Sequence, residues 1–539
     1  MSYRGIVVPL PVGQQGFSGT DNPSQAGPGH FLYVDGVELQ AGVIRKEGGA
    51  TKFNATELDG GAVVISGINW SPTGGNRRDV VFLDTGKVLK DSGAGTFATT
   101  LVSGLNSTRE PPPWFVAAGG EAVGAPRKLM LFSSVNQVQF VDADGAVMAA
   151  IAAPAADWTG AGNFPTFGIA HGFRVFAGGN NSDPHRLYYS TTTDHEDFTG
   201  AGSGTVSIYP GEGERLVGGV SFRGALVVFK YPQGIYIVNT ADPTPANWSV
   251  TPLTRAVGTL NQHTIVQVEN DVMYLDVGGD THALSVTQEF GDFTTSDIGD
   301  AENIHTFMRR YVNVAKLRRA QGIWYGRRQQ VWWALPQLGS DDNNLRFITL
   351  LEAIQGEQQA QMTRRFFMSR RDICISMWLR PDATEVPTPI IGDTEGFTWI
   401  MDRDARSKDG IAGYPFLFET ANTDFGFFDQ ALATRMKAGH FLEINYEPRG
   451  DWDLTVEVFW DDVLSDTLLF NMGSGGAVLG SFLLDTDVLA SSVVRSARTK
   501  MDGSGRRLRL VGSNSGDGQD ISLANFYVHM TMMDERVGD

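Results

Sequence analysis

The sequence is nearly without cysteine: Cys374 is the one thiol in 539 residues, so no internal disulfide can form and stability must come from packing or assembly. Its setting, Asp372-Ile373-Cys374-Ile375-Ser376-Met377-Trp378, reads as a small apolar strand residue. Long apolar runs are missing too. The most apolar stretch, 147–156, is short and carries Pro154, so no membrane segment is expected. At the start, Met1-Ser2-Tyr3-Arg4-Gly5-Ile6-Val7-Val8-Pro9 shows no basic region followed by a run of signal-peptide length, which predicts a protein made and kept in a cytoplasm. Positive charge is scarce: 43 Lys and Arg against 61 Asp and Glu leave a net charge of -18. Such a surface repels nucleic acid and anionic membrane as a whole, so any DNA contact must be local or weak.

What is present is apolar residues at 42%, charged residues at 19%, and 64 glycines against 23 prolines. The first two figures predict a chain that folds throughout. The glycine excess favours many short strands, because glycine supplies the positive φ angles of tight hairpins.

Alternating runs recur from about residue 60. One group is 62–66, 79–83 and 86–89; the next is 114–117, 128–132, 137–141 and 146–148. Groups beginning near 167, 216 and 264 follow, a recurrence of roughly 40 to 50 residues that matches a four-stranded propeller blade. The rhythm breaks near 303–321, where a helix fits, and resumes for one or two more blades. After the polar stretch 402–413, the strings 441–446, 454–460, 506–511 and 526–531 alternate cleanly, as sheets with one dry face do. The expected fold class is therefore all-β: an N-terminal extended arm (1–55, containing a hairpin at 36–46), a β-propeller (56–405) and a C-terminal antiparallel β-sandwich (406–539).

Catalytic motifs are sparse. Gly202-Ser203-Gly204 and Gly503-Ser504-Gly505 lack the frame of a nucleophile elbow, and no phosphate-loop Gly-Lys-Ser or Gly-Lys-Thr occurs. His185 with Asp194-His195-Glu196-Asp197 could be a metal cluster, but neighbours on an extended chain point to opposite faces, so a solvated loop is expected. The Ser-x-Asp-x-Gly-x-x-Trp turns common in sialidases are absent, and a propeller glycosidase would need two converging carboxylates, which a sequence does not display. No catalytic, cofactor or metal residue is assigned, and no cofactor is expected. The sequons at Asn54, Asn106 and Asn247 carry little meaning without a secretion signal.

Against the acidic background, Arg309, Arg310, Lys316, Arg318 and Arg319, with Arg327 and Arg328, form a basic cluster, followed by Arg364, Arg365, Arg370 and Arg371. They are candidates for a subunit interface, pairing with carboxylates such as those of 451–487, or for phosphate contacts with DNA; a solvated face is the plain alternative. The interface reading is favoured.

The order of parts resembles the tail hub and nozzle proteins of short-tailed bacteriophages, including the packaged-DNA stabilisation family. The resemblance rests on Gly48-Gly49-Ala50-Thr51-Lys52-Phe53, the stretch 218–229 leading through 234–238 to Val257-Gly258-Thr259, the strand 327–336, and the closing strands 506–511 and 526–530. It implies a non-enzymatic structural subunit of the virion tail, made in the bacterial host. It further implies a homo-oligomeric ring, usually a hexamer, that lines the genome-ejection channel. Neighbouring tail proteins (adaptor, fibre or needle) and transient, non-specific contact with phage DNA follow from the same likeness. A receptor- or glycan-binding propeller is the alternative.

Overall fold

The computed structural model describes residues 5–20, 25–40, 43–72, 76–119, 127–211, 213–269, 271–284, 304–353, 362–370, 374–410, 412–473 and 494–533, with backbone alone at 40, 352–353 and 362–370. The described residues form seven small sheets and two large ones.

The seven small sheets follow one another in the chain. Their first strands are Val64–Trp70, Trp114–Ala118, Phe167–His171, Arg215–Phe222, Ile265–Gln267, Gln321–Tyr325 and Ser376–Pro381. Each first strand lies beside that of the next sheet, and the seventh lies beside the first, so the sheets are blades of a closed β-propeller. Blades 1 to 4 and 6 are four-stranded meanders, and blade 5 has three described strands.

Blade packing explains the apolar runs. Blade 4's second strand, Ala225–Tyr231, sends Leu226 and Val228 into the core shared with blade 3, and Val227 and Phe229 into the core shared with blade 5. Blade 2 divides Leu129 and Leu131 from Met130 and Phe132 in the same manner. Both faces are dry, so alternation gives way to continuous hydrophobicity. Each such side chain contributes about 1.5–3 kcal/mol. Where the wedges narrow, the innermost strands carry glycine: a Cβ at Gly67 would sit 2.5 Å from Trp378, at Gly168 2.3 Å from Phe132, and at Gly322 2.5 Å from Trp333.

A recurrent turn closes several hairpins. An aspartate carboxylate accepts from the N–H groups two and four residues on: Asp91 from Gly93 and Gly95, Asp276 from Gly278 and Asp280, Asp382 from Thr384 and Val386, Asp393 from Glu395 and Phe397. Such turns hold their geometry locally, which suits a fold built from repeated hairpins.

The seventh blade corrects the expectation of a free arm. Its fourth strand is Gly49–Lys52, which pairs antiparallel with Thr398–Arg403 and is followed in the sheet by the two-residue strands Ser407–Lys408 and Ala412–Gly413. Asn54 locks this closure by accepting from the Thr398 N–H (2.6 Å) and donating to the Gly396 carbonyl (2.9 Å). Upstream, Ile6–Leu10 pairs with Ser522–Met532, His30–Asp35 with Phe416–Thr420, and the expected hairpin, Val37–Gln40 with Val43–Lys46, also reaches Ser522–Met532. Residues expected to form an extended arm instead complete two sheets of their own chain. Short strands interrupted by Gly and Pro show too little periodicity for this to be read before their partners are known.

Those two sheets, of seven and six strands, take their remaining strands from 416–532. They meet face to face through contacts such as Phe418 on Phe526, 6.0 Å between ring centres. Lys437–Tyr446 and Asp453–Trp460 alternate buried and partly exposed positions, the pattern of sheets with one dry face.

The propeller and the two-sheet unit share one core. The helix Ile304–Tyr311 sets Phe307 edge-on to Phe17 (5.1 Å) and stacked with Phe347 of blade 6 (5.6 Å). Around this core lies a ring of charge. Arg328 reaches Glu38 (2.9 Å) and Asp402 (2.6 Å), while Arg346, over the Trp332 ring at 4.1 Å, pairs with Glu47. Lys46 donates to Asn514 and the Gly516 carbonyl, each at 3.0 Å. The linker 46–49 between the two-sheet unit and blade 7 is thus pinned on both sides.

Candidate functional site

The segments entering the innermost strands of blades 2 to 6 gather at one mouth of the propeller. Arg109-Glu110-Pro111-Pro112-Pro113 leads into blade 2, and a 3-10 turn, Val314–Arg319, leads into blade 6. Blades 2 and 6 are not neighbours, yet Glu110 accepts from Lys316 (3.0 Å) and from Arg319 (2.8 Å), and Arg109 pairs with Asp342 beside blade 6 and with Asp84 of blade 1 (3.3 Å). Burial alone would raise the Glu110 pKa, but the hydrogen bonds from Lys316 and Arg319 outweigh it and hold the carboxyl below its ordinary value. These ion pairs brace the mouth from side to side.

Further contacts cross between blades. His263 of blade 5 donates from Nε2 to the Pro113 carbonyl (3.1 Å) and stands edge-on to Trp114, 4.8 Å away. Burial pushes His263 down to about 4, so the ring is neutral at physiological pH. Gln321 of blade 6 donates to the Ile65 carbonyl of blade 1 (2.8 Å). Side chains of blades 5 and 6 thus bond to the backbone of blades 2 and 1 across the inner rim.

At the mouth lies a cavity of about 190 Å³, walled by Glu110, Ser134, Thr166, Asn181, Arg215 and Arg318 among others. Arg215 and Arg318 both lie against the ring of Tyr231, at 5.5 and 5.9 Å from its centre. Desolvation, followed by the neighbouring Arg215, lowers the Arg318 pKa.

The basic residues singled out by sequence separate into distinct roles. Lys316 and Arg319 join the cross-channel ion pairs, and Arg318 lines the cavity. Arg309 and Arg310 are exposed on the helix, with Arg310 against Tyr311 at 5.4 Å. Arg364, Arg365 and Arg370 lie in the outer strand of blade 6, opposite Leu351, Leu350 and Leu345; Arg371 lies outside the described residues. Sequence reasoning missed Arg109, Glu110, Arg215, His263 and Asp342. One signal was available: a charged pair directly before three prolines marks a rigid segment whose side chains are held in place.

Several acids and histidines among the described residues are engaged in ion pairs and hydrogen bonds. At the mouth Asp84, Glu110, Asp341 and Asp342 each lie within ion-pair distance of Arg109, Lys316 or Arg319. Asp79, pushed up to about 6 by burial, is fixed by Trp378 (3.0 Å), Asn69 (3.1 Å) and Arg380 (3.3 Å). His171 meets Ser221 and Thr240, each at 2.7 Å, with a hydroxyl where a triad has its carboxylate. In the loop read as a possible metal cluster, Lys128 donates to Asp194 (2.9 Å) and His195 meets the Phe173 carbonyl (3.2 Å). No metal-ligating group of three or more occurs among the described residues, and no described helix is long and apolar enough to cross a membrane.

No protein-family profile matches the chain, and no curated protein matches it. Solved structures do. The WD40 repeats of RRP9 align at 8% identity, covering 67% of this chain and all of theirs, with a TM-score of 0.39. BamB from Moraxella catarrhalis aligns at 11% identity over 74% of this chain and all of its own, with a TM-score of 0.36. An exo-beta-1,3-galactanase from Phanerochaete chrysosporium aligns at 8% identity over 90% of this chain and all of its own, with a TM-score of 0.27. Likeness at this level carries no argument about activity; the propeller rests on the sheet order described above.

Proposed function

We propose that the chain is a non-enzymatic structural subunit of a bacteriophage tail, a hub or nozzle component that assembles into a ring, usually of six copies, around the genome-ejection channel and helps retain the packaged DNA. The reading starts from the resemblance of the ordered segments to that family. The observation that best supports it is on the outer strand of the six-stranded sheet, Val463–Asn471, where Val463, Leu464 and Leu469 are 67%, 51% and 60% exposed. Exposed aliphatic side chains on an outer strand invite pairing with another chain, and a homo-oligomer is the assembly that would cover them. The ion pairs across the propeller mouth stand in the way of a duplex, so in this reading the genome passes between copies rather than through a blade ring. An acidic net charge keeps that DNA contact transient, and adaptor, fibre or needle proteins occupy the outer faces.

Negative-stain electron microscopy of the purified protein and of virions is the test. Rings that are lost in Val463→Asp/Leu469→Asp support the proposal, whereas a strictly monomeric protein absent from particles overturns it.

A further inference from the structure

The cavity at the propeller mouth differs from the charged junction and from the ion pairs beside it. Arg328 and Arg346 are each matched by buried carboxylates, and Arg319 and Lys316 by Glu110. Arg215 and Arg318 have no carboxylate within ion-pair distance among the described residues, and Arg318 Nε is buried with no hydrogen-bond acceptor there. Both guanidiniums lie against one tyrosine ring and line one cavity, so their like charges repel, and burial strengthens that repulsion. The one acid in the wall, Glu110, is already neutralised by two other cations.

The support for both guanidiniums is rigid. Asn261, itself 2% exposed, donates to the Arg318 carbonyl at 2.9 Å, and Arg215 begins the innermost strand of blade 4. Ser134, Thr166 and Asn181 add hydroxyl and amide groups to the wall. A volume of about 190 Å³ has room for a group several waters in size, at about 30 Å³ each, and far too little for a nucleic-acid duplex.

We propose that Arg215 and Arg318 form a binding site for a small phosphate-bearing ligand, free phosphate or a phosphomonoester, in the mouth of the propeller. The planar forks of two arginines match a tetrahedral oxyanion in geometry and supply paired, charge-assisted hydrogen bonds. A ligand there offsets the like charge of the two guanidiniums. The site is independent of ring assembly and stands or falls separately from it.

Isothermal titration calorimetry of the full chain at low ionic strength, with inorganic phosphate and separately with glucose 6-phosphate and acetate, tests this. Saturable binding of phosphate is expected, weakened about tenfold or more in Arg215→Gln and again in Arg318→Gln. Arg309→Gln, an exposed helix position, should bind as wild type. Tighter binding of glucose 6-phosphate than of phosphate identifies an esterified ligand, and equal binding identifies the free ion. Arg215→Lys, which keeps charge but loses the fork, should fall between wild type and Arg215→Gln, and serves if the Gln variants do not fold. No saturable phosphate binding, acetate binding as tight as phosphate, or unchanged affinity in folded variants would overturn the site.

Discussion

Arginine builds two unlike regions in this molecule. At the junction between the propeller and the two-sheet unit, Arg328 and Arg346 meet Glu38, Asp402 and Glu47 in a nearly dry setting, and every one of these acids comes from the linker, the N-terminal hairpin or blade 7. At the propeller mouth, Arg215 and Arg318 lie in a cavity without matching acids. The same side chain locks a fold where carboxylates are brought to it, and leaves charge available where they are not. The difference lies in chain path: the N-terminal segments bring Glu38 and Glu47 to the junction, and among the described residues none of their acids pairs with a cation at the mouth.

The largest test of this contrast removes the path itself. Deleting residues 1–53 takes away the closing strand of blade 7 and strands from both large sheets, together with Glu38 and Glu47. The truncated chain is expected to lose its cooperative unfolding transition in circular dichroism. A truncated protein that melts as wild type would mean that the N-terminal strands are accessory.

A smaller change isolates one pair. Arg346 is 0% exposed, so Glu47→Gln leaves a buried guanidinium without its carboxylate and should cost about 3–5 kcal/mol in urea denaturation. Glu47→Leu combined with Arg346→Leu should recover most of that loss, because the desolvation of both charges disappears. If the double variant is no better than the single one, the pair is more than a matched charge.

The smallest effect sharpens the comparison inside the propeller. Asp79 is a buried acid raised from 3.8 to about 6 by desolvation, only partly offset by Arg380. A folded pKa above the unfolded one gives stability that is complete below pH 3.8 and is lost as pH rises through about 6. Wild type should therefore lose about 2–3 kcal/mol relative to Asp79→Asn across that window, measured by chemical denaturation at several pH values. Parallel curves for the two proteins would show that Arg380 neutralises the burial entirely.

Much of the architecture was legible before any coordinates. Glycine-punctuated apolar runs at blade spacing carry their own strand and turn preferences, and the break at 303–321 coincides with the helix Ile304–Tyr311 and the 3-10 turn after it. The basic cluster was visible as composition, yet its division into bracing (Lys316, Arg319), cavity-lining (Arg318) and exposed (Arg309, Arg310) residues was not. Those roles depend on Glu110 and Arg215, which lie roughly two hundred and one hundred positions away in the chain.

Local preference thus accounts for the kinds of element and their approximate rhythm, because hydrophobic period and turn chemistry act over a few residues. Closure lies beyond that range. Asn54 finds Thr398 across 344 positions, and Ile6–Leu10 finds its partner strand at the far end of the chain. Strands of four or five residues bury too little to show a face of their own. Their conformation is set only when a distant strand supplies hydrogen bonds and covers one side, so the ends of this chain acquire their structure from the fold they complete.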